Sequence, residues 1–311
     1  MTQRPAVLIV QPHLAPLSGF LEPLYDVYRL WQGPPIEAEH EIGAVILAGE
    51  FPLDVTLIKR LPNLKLIACF TSGYDGIDVE WCRAQGLPVT HAPGVNHEDV
   101  ADHATGLIIA ARRRITEGER SLRAGGWTAD SKIITPSLKG QRLGVVGLSA
   151  IGEAVARRAE ALRMDVRWWA PREKDAAWPR AASLIGLARD SDILVVACRA
   201  DDSNVGLISR DVIEALGPDG LLVNVARGQL VDEDALIAAL KDGRLGQAAL
   251  DVFAQEPVDV SRWVDVPNTV LTPHTGGATT EAVQGMLMLL MQNLQAAFAG
   301  EPLKTPVVQI A

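Results

Sequence analysis

Three segments in the last third of the chain place polar side chains directly after apolar runs. "LLVNVARGQLVDEDAL" carries Arg227 and Gly228. "AALDVFAQEP" carries Asp251 at the end of its run and Glu256 in the loop beyond. "VLTPHTGGAT" carries His274, followed by Gly276 and Gly277. An arginine fork matches the geometry of a carboxylate, and an imidazole exchanges protons near neutral pH. Singly, each has an ordinary reading: an exposed loop arginine, a surface glutamate, a capped histidine. Delivered together, they can bind an anion and move a proton.

A fourth segment, "VVGLSAIGEAVARR", comes close to the Gly-x-Gly-x-x-Gly turn that holds a dinucleotide. Gly147 and Gly152 are in place, and Ser149 stands where the second glycine belongs. The context fits: Leu143 to Val146 reads as a strand, and Ala150 to Leu162 as a helix whose Ala154 and Ala156 allow close packing. A pyrophosphate there would meet the free N–H groups and the positive end of the helix dipole. The Ser149 hydroxyl could itself donate to a phosphate oxygen. At the end of the next strand, "WWAPREK" offers Ala170 where a carboxylate would bind a ribose 2'-hydroxyl, with Arg172 and Lys174 close behind. A missing acid and a nearby guanidinium suit a 2'-phosphate, hence NADP rather than NAD. The other reading is a solvated basic turn.

The elements that must position these groups alternate along the whole chain. "AVLIV", "AVILAG", "LKLIACF" and "LPVTHAP" read as strands in the first hundred residues, with helical segments such as "LEPLYDVYRLW" between them. After Gly140 a second series follows: "RLGVVGL", "DVRWWA", "DILVVAC", "GLLVNVA", "QAALDVF" and "NTVLTPH". Continuous apolar strands separated by helices predict α/β architecture, with parallel sheets covered on both faces. Two series predict two doubly wound domains. In such sheets ligands bind beyond the carboxyl ends of the strands, which puts all four segments on one edge. Between the series, Asn96 to Gly126 has helical periodicity, a capping residue and a terminating Gly125-Gly126. This predicts one long domain-bridging helix. "TTEAVQGMLMLLMQNLQAAFAG" predicts another, with its methionines packing in the core.

Composition sets the class. The chain has 311 residues, 48% hydrophobic and 22% charged, as in ordinary globular proteins. A formal net charge of -9 argues against nucleic acid or an anionic membrane as partner. Cys69, Cys82 and Cys198 are scattered without a Cys-x-x-Cys spacing, so neither a disulfide framework nor a metal site is expected. No apolar run reaches membrane-spanning length, and "PAVLIV" is too short for a signal segment. The expectation is a cytoplasmic protein.

Along essentially its whole length the chain resembles the D-isomer-specific 2-hydroxyacid dehydrogenases. The family's glycine loop matches Gly147 to Gly152, with Ser149 a departure, and its Asn-x-x-Arg-Gly matches Asn224 to Gly228. Asp-Val-Phe-x-x-Glu-Pro matches Asp251 to Pro257, and Pro-His matches Pro273-His274. "TSGYDGID", Thr71 to Asp78, matches the substrate-side loop.

The resemblance implies two Rossmann-like domains, with the cofactor domain (99–277) inserted into a discontinuous substrate domain (1–98 with 278–311). It implies His274 as the acid, Glu256 as its partner and Arg227 as the clamp on the substrate carboxylate. Ser72 and Gly73 would complete that cradle with backbone N–H groups. For the cofactor it implies Gly147, Ser149, Ala150, Ile151, Gly152, Ala226, His274 and Gly276, with Asp251 on the nicotinamide carboxamide. Arg172 and Lys174 would meet the 2'-phosphate. Reduction of a small 2-oxo acid by NADPH, or by NADH, is expected, with glyoxylate and hydroxypyruvate as leading substrates. A homodimer is expected too; Trp127 is either an inter-subunit contact or simple packing. The alternatives are a dinucleotide-sensing protein like the related corepressors, which the full Arg227, Glu256 and His274 set disfavours, and a phosphite dehydrogenase-like enzyme. Glu256, as the acid's partner, disfavours formate dehydrogenase-like chemistry.

Overall fold

A computed structural model describes residues 4–33 and 38–308. The chain divides into two compact units, one of Met1–Asn96 with Thr279–Ala311 and one of His97–Ala278. The second unit is thus inserted into the first, as a chain.

In the first unit the strands are β1 (Ala6–Ile9), β2 (Asp26–Arg29), β3 (Ile42–Leu47), β4 (Leu66–Cys69) and β5 (Val89–Thr90), and the helices are α1 (Ser18–Leu21), α2 (Val55–Lys59) and α3 (Val79–Ala84). The second unit contributes α4 (His97–Arg112), α5 (Ile115–Arg123), β6 (Arg142–Val146), α6 (Ala150–Ala161), β7 (Asp165–Trp169), α7 (Leu184–Arg189) and β8 (Ile193–Val196). It continues with α8 (Arg210–Leu216), β9 (Leu221–Asn224), α9 (Glu233–Lys241), β10 (Gln247–Leu250) and β11 (Thr269–Leu271). The chain then returns to the first unit with α10 (Thr280–Ala299) and β12 (Pro306–Val308).

The sheets have the orders β12-β5-β4-β3-β1-β2 and β11-β10-β9-β8-β6-β7. All pairings are parallel except that of β12 with β5. Both units are therefore doubly wound, Rossmann-like sheets, and the strand order reverses beside β1 in one and beside β6 in the other. The period of two sorts the strand residues to opposite faces. Val146, Leu194, Val196, Leu222 and Leu250 pack under α7, α8 and α9. Leu143, Val145, Ile193, Val195 and Val223 pack under α4 and α6. The first sheet is covered in the same way, by α1 and α10 on one face and by α2 and α3 on the other. Met286 of α10 is buried in that core, while Met288 faces outward.

Two expected elements differ. "LEPLYDVYRLW" is not one helix: β2 lies at its centre and pairs with β1, Ala6 opposite Asp26, and only Leu21 and the short 3-10 turn at Leu30–Gln32 are helical. Pro23 opposes a helix there, and Val27 and Tyr28 suit the edge of a sheet. The helix expected over residues 96–126 is broken into α4 and α5. Buried Arg112 donates to the carbonyl oxygens of Asp192 and Asp219 and to the Gln141 side chain. Arg114 then turns left-handed at φ 50°. A guanidinium drawn in to cap the sheet ends α4 where periodicity alone would carry it on.

Candidate active site

Consecutive neighbours β9, β10 and β11 each release a polar loop at the carboxyl edge of the second sheet. Asn224, the last residue of β9, shapes the first loop. Its side-chain oxygen accepts the Ala226 N–H (3.0 Å), and its amide donates to the Arg227 carbonyl oxygen (2.9 Å). Buried Ala226 thus sits inside an Asx turn that sets the direction of Arg227. The Arg227 guanidinium donates to the Ala226 carbonyl oxygen at 2.8 Å. Gly228 follows with no room for a Cβ, which would overlap the backbone of Phe253 and Ala254. The loops after β9 and β10 are therefore in backbone contact.

Glu256 is held by that second loop, its Oε1 accepting the Phe253 N–H at 2.9 Å. Its Oε2 lies 2.6 Å from His274 Nδ1. A carboxylate only accepts, so Nδ1 carries the proton in this bond and Nε2 is the outward nitrogen. The Glu256 hydrogen bond raises the His274 pKa above its ordinary value; burial and the nearby Arg227 oppose the rise without cancelling it. Burial pushes Glu256 upward, but the His274 bond, the Phe253 N–H and the Arg227 charge together leave its pKa lowered. The pair favours an imidazolium beside a carboxylate.

His274 itself adopts φ 53°, a left-handed conformation that needs support from its surroundings. Asp251 supplies it. The Asp251 carbonyl oxygen accepts the His274 N–H at 2.8 Å. Its buried carboxylate accepts the Thr275 N–H (2.9 Å), the Gly276 N–H (2.8 Å) and the Thr272 hydroxyl (2.6 Å). Asp251, expected to hold a nicotinamide carboxamide, is thus the internal pin of the histidine loop. At Gly276 a Cβ would lie 2.9 Å from that carboxylate.

The glycine turn lies on the other side of β8, after β6. Gly147 has φ 88°, and a Cβ on it would overlap Cys198; a Cβ on Gly152 would overlap the Gly147 carbonyl oxygen. This tight cradle at the start of a twelve-residue helix fits a dinucleotide, with the first amides of α6, at Ala150 and Ile151, outside the intrahelical ladder. Ser149 caps α6. Its hydroxyl accepts the Gly152 N–H at 3.3 Å and donates to the Ala197 carbonyl oxygen at 2.8 Å. The one hydroxyl proton is committed to protein, so the donation to phosphate considered from sequence is not its arrangement here.

Beyond β7, Ala170 is half-buried and Arg172 exposed. The Lys174 amine is paired with Glu153 and donates to the Leu148 carbonyl oxygen at 3.2 Å, partners that the local sequence does not announce. Sequence reading passed over Arg180, which donates to the Ala170 carbonyl oxygen at 2.9 Å and braces this turn. It also passed over Thr272 and His103. The latter two meet across 169 residues, so no local pattern could announce them.

Ser72 and Gly73 belong to the first unit, past the end of β4. The Ser72 hydroxyl is 2.6 Å from the Ala92 carbonyl oxygen and 3.1 Å from Asn96 Oδ1. Thr71 accepts the Gly49 N–H at 2.9 Å, and a Cβ on Gly49 would overlap the Gly73 carbonyl oxygen. The loop is rigidly braced. Among the described residues no cluster of His, Cys, Asp and Glu could hold a metal ion, and no helix is long and apolar enough to cross a membrane.

Comparison with known proteins agrees with this geometry. Residues 105–276 match the family described as D-isomer specific 2-hydroxyacid dehydrogenase, NAD binding domain. Glyoxylate/hydroxypyruvate reductase A of Arabidopsis thaliana is 40% identical over 308 residues, covering 97% of this chain and 98% of that protein. Hydroxyphenylpyruvate reductase of Plectranthus scutellarioides is 40% identical over 306 residues, 95% and 97% of the two chains. The crystal structure of an NADPH-dependent glyoxylate/hydroxypyruvate reductase from Sinorhizobium meliloti superposes with a TM-score of 0.89 at 33% identity, over 98% and 97% of the chains. With its motifs, its two sheets and these relatives in accord, the chain belongs to the D-isomer specific 2-hydroxyacid dehydrogenase family.

Proposed function

We propose that this oxidoreductase reduces small 2-oxo acids to D-2-hydroxy acids, with glyoxylate and hydroxypyruvate as its substrates and NADPH as its preferred cofactor. The observation that carries this reading is the 2.6 Å bond between His274 Nδ1 and Glu256, with Arg227 close enough to bias both pKa values.

Gly147–Gly152, Ala226 and Gly276 would hold a reduced nicotinamide dinucleotide, which would supply a hydride to C2. The chain's own residues do the rest. Arg227 grips the substrate carboxylate with its fork and draws charge onto the carbonyl oxygen. His274, cationic through Glu256, gives its Nε2 proton to the oxygen as negative charge develops there. Asp251 keeps the loop in register and offers its remaining acceptor capacity to the carboxamide.

In this reading the inserted unit is the cofactor domain and the other the substrate domain. Ala170 and exposed Arg172 support a 2'-phosphate, and the NADPH dependence of the Sinorhizobium enzyme points the same way. A homodimer belongs to this reading, and Trp127, 71% exposed in the single chain, is a candidate for its contact. The compartment is the cytoplasm. The Plectranthus relative favours adding an aromatic substrate to the test.

Steady-state rates with glyoxylate, hydroxypyruvate, 4-hydroxyphenylpyruvate and phosphite, each with both cofactors, decide the matter. The highest kcat/KM is expected for a small 2-oxo acid with NADPH. A protein that turns over none of the 2-oxo acids with either cofactor would overturn the reading, and turnover of phosphite alone would replace it.

A further inference from the structure

Helix α4 carries two adjacent side chains that reach two different elements. Asp102 accepts from Arg158 of α6 at 2.6 Å, and Glu98, one turn earlier, binds both Arg157 (2.8 Å) and Arg158 (2.7 Å). Successive helical residues point about 100° apart, so His103 leaves on another side. It goes to the histidine loop. His103 Nε2 lies 2.9 Å from Thr272 Oγ1 and 3.2 Å from Asp251 Oδ1. The proton order follows from the chemistry of the groups. Thr272 has one hydroxyl proton and gives it to Asp251 at 2.6 Å, so it accepts from His103 Nε2–H. The imidazole also lies beside Gly276, where a Cβ would sit 3.5 Å from the ring, an ordinary contact distance.

We propose that His103 is a positioning residue for His274. It acts through Thr272 and Asp251 and has no contact with substrate of its own. Thr272, Asp251 and Gly276 bracket His274, whose left-handed backbone is retained only while both flanks are held. Hydrogen bonds of this kind, one shell away from a reacting imidazole, set its orientation to within the tolerance that proton transfer demands. The same helix is bolted to α6, which starts at the glycine turn. One rigid element therefore references the proton donor to the cofactor cradle.

The inference rests on the assignment of His274 as the acid, and the test keeps the two apart. His274→Ala, His103→Ala, His103→Gln and Thr272→Val are compared for hydroxypyruvate reduction, with NADPH binding followed by fluorescence titration. His103→Ala should lower kcat about 10- to 100-fold, the scale of an ångström-sized misplacement. KM and cofactor binding should stay near wild type. Glutamine places an amide N–H where Nε2 stood, so His103→Gln should recover most of the loss. His103→Ala combined with Thr272→Val should cost little more than either alone, because both break one chain of bonds. Wild-type kcat in His103→Ala, or a glutamine variant as poor as the alanine one, overturns the proposal. So does a loss shared equally by cofactor binding, which would mark a general collapse of α4. Wild-type turnover in His274→Ala would instead refute the acid assignment itself.

Discussion

Gly228 lies against the carbonyl of Phe253 so closely that a single added carbon would overlap it. This contact sets Arg227, on the loop after β9, beside the loop after β10 that carries Glu256. The proposed carboxylate clamp and the proposed partner of the acid are thereby brought to one place by bare backbone. Gly228→Ala should lower the melting temperature, since overpacking a tight site costs about 1–3 kcal/mol. It should also cut kcat/KM for every 2-oxo acid, because the clamp shifts. An alanine variant with wild-type melting and kinetics would show that the loops can part without consequence.

Replacing His274 by alanine should remove most turnover, roughly 100- to 10,000-fold for a positioned acid, while NADPH still binds. Glu256→Gln tests the pairing through pH. On the proposed assignment the reductive reaction needs the imidazolium, so it runs below the His274 pKa and fails as pH rises through it. Glu256 raises that pKa; glutamine removes the charge, and the fall in kcat/KM should move to lower pH. An unmoved profile would mean that the 2.6 Å bond has no part in the active ionisation.

Arg227→Lys keeps a positive charge but loses the fork. The expected result is a drop in kcat/KM common to all 2-oxo acids tested, since a point charge cannot reproduce bidentate geometry. Near-normal kinetics in this variant would place the carboxylate elsewhere.

Cofactor choice should depend on Arg172 and far less on Lys174, whose amine is already paired with Glu153. A charge-assisted bond is worth about 1.5–3 kcal/mol, or roughly tenfold to somewhat over a hundredfold. Arg172→Ala should weaken NADPH by that order and leave NADH nearly untouched, whereas Lys174→Ala should change their ratio little. Ser149→Ala should act on both cofactors alike and cost about 1 kcal/mol of stability through the lost cap. Equal loss of both cofactors in Arg172→Ala would disprove the 2'-phosphate contact.

If the proposed homodimer buries Trp127, which is 71% exposed in the single chain, Trp127→Ser should shift the protein toward monomer in sedimentation velocity. A wild-type chain that sediments as a monomer would contradict the dimer.

The two parallel sheets, the glycine turn and the strand-end positions of Arg227, Glu256 and His274 were legible from the sequence by itself. Strand periodicity and apolar runs are local, and a polar residue just past such a run must sit at the carboxyl edge. Tertiary structure decided what those groups touch. The pinning of Asp251 to the Gly276 N–H, the capture of Lys174 by Glu153 and the turning of Ser149 toward Ala197 all join residues from separate elements. So does the contact of His103 with Thr272. The break after Arg112 and the conversion of the segment around Val27 into a strand have the same origin. A buried guanidinium needs carbonyl acceptors that only the assembled sheet presents, and an edge strand is stabilised by a neighbour that the local pattern does not contain.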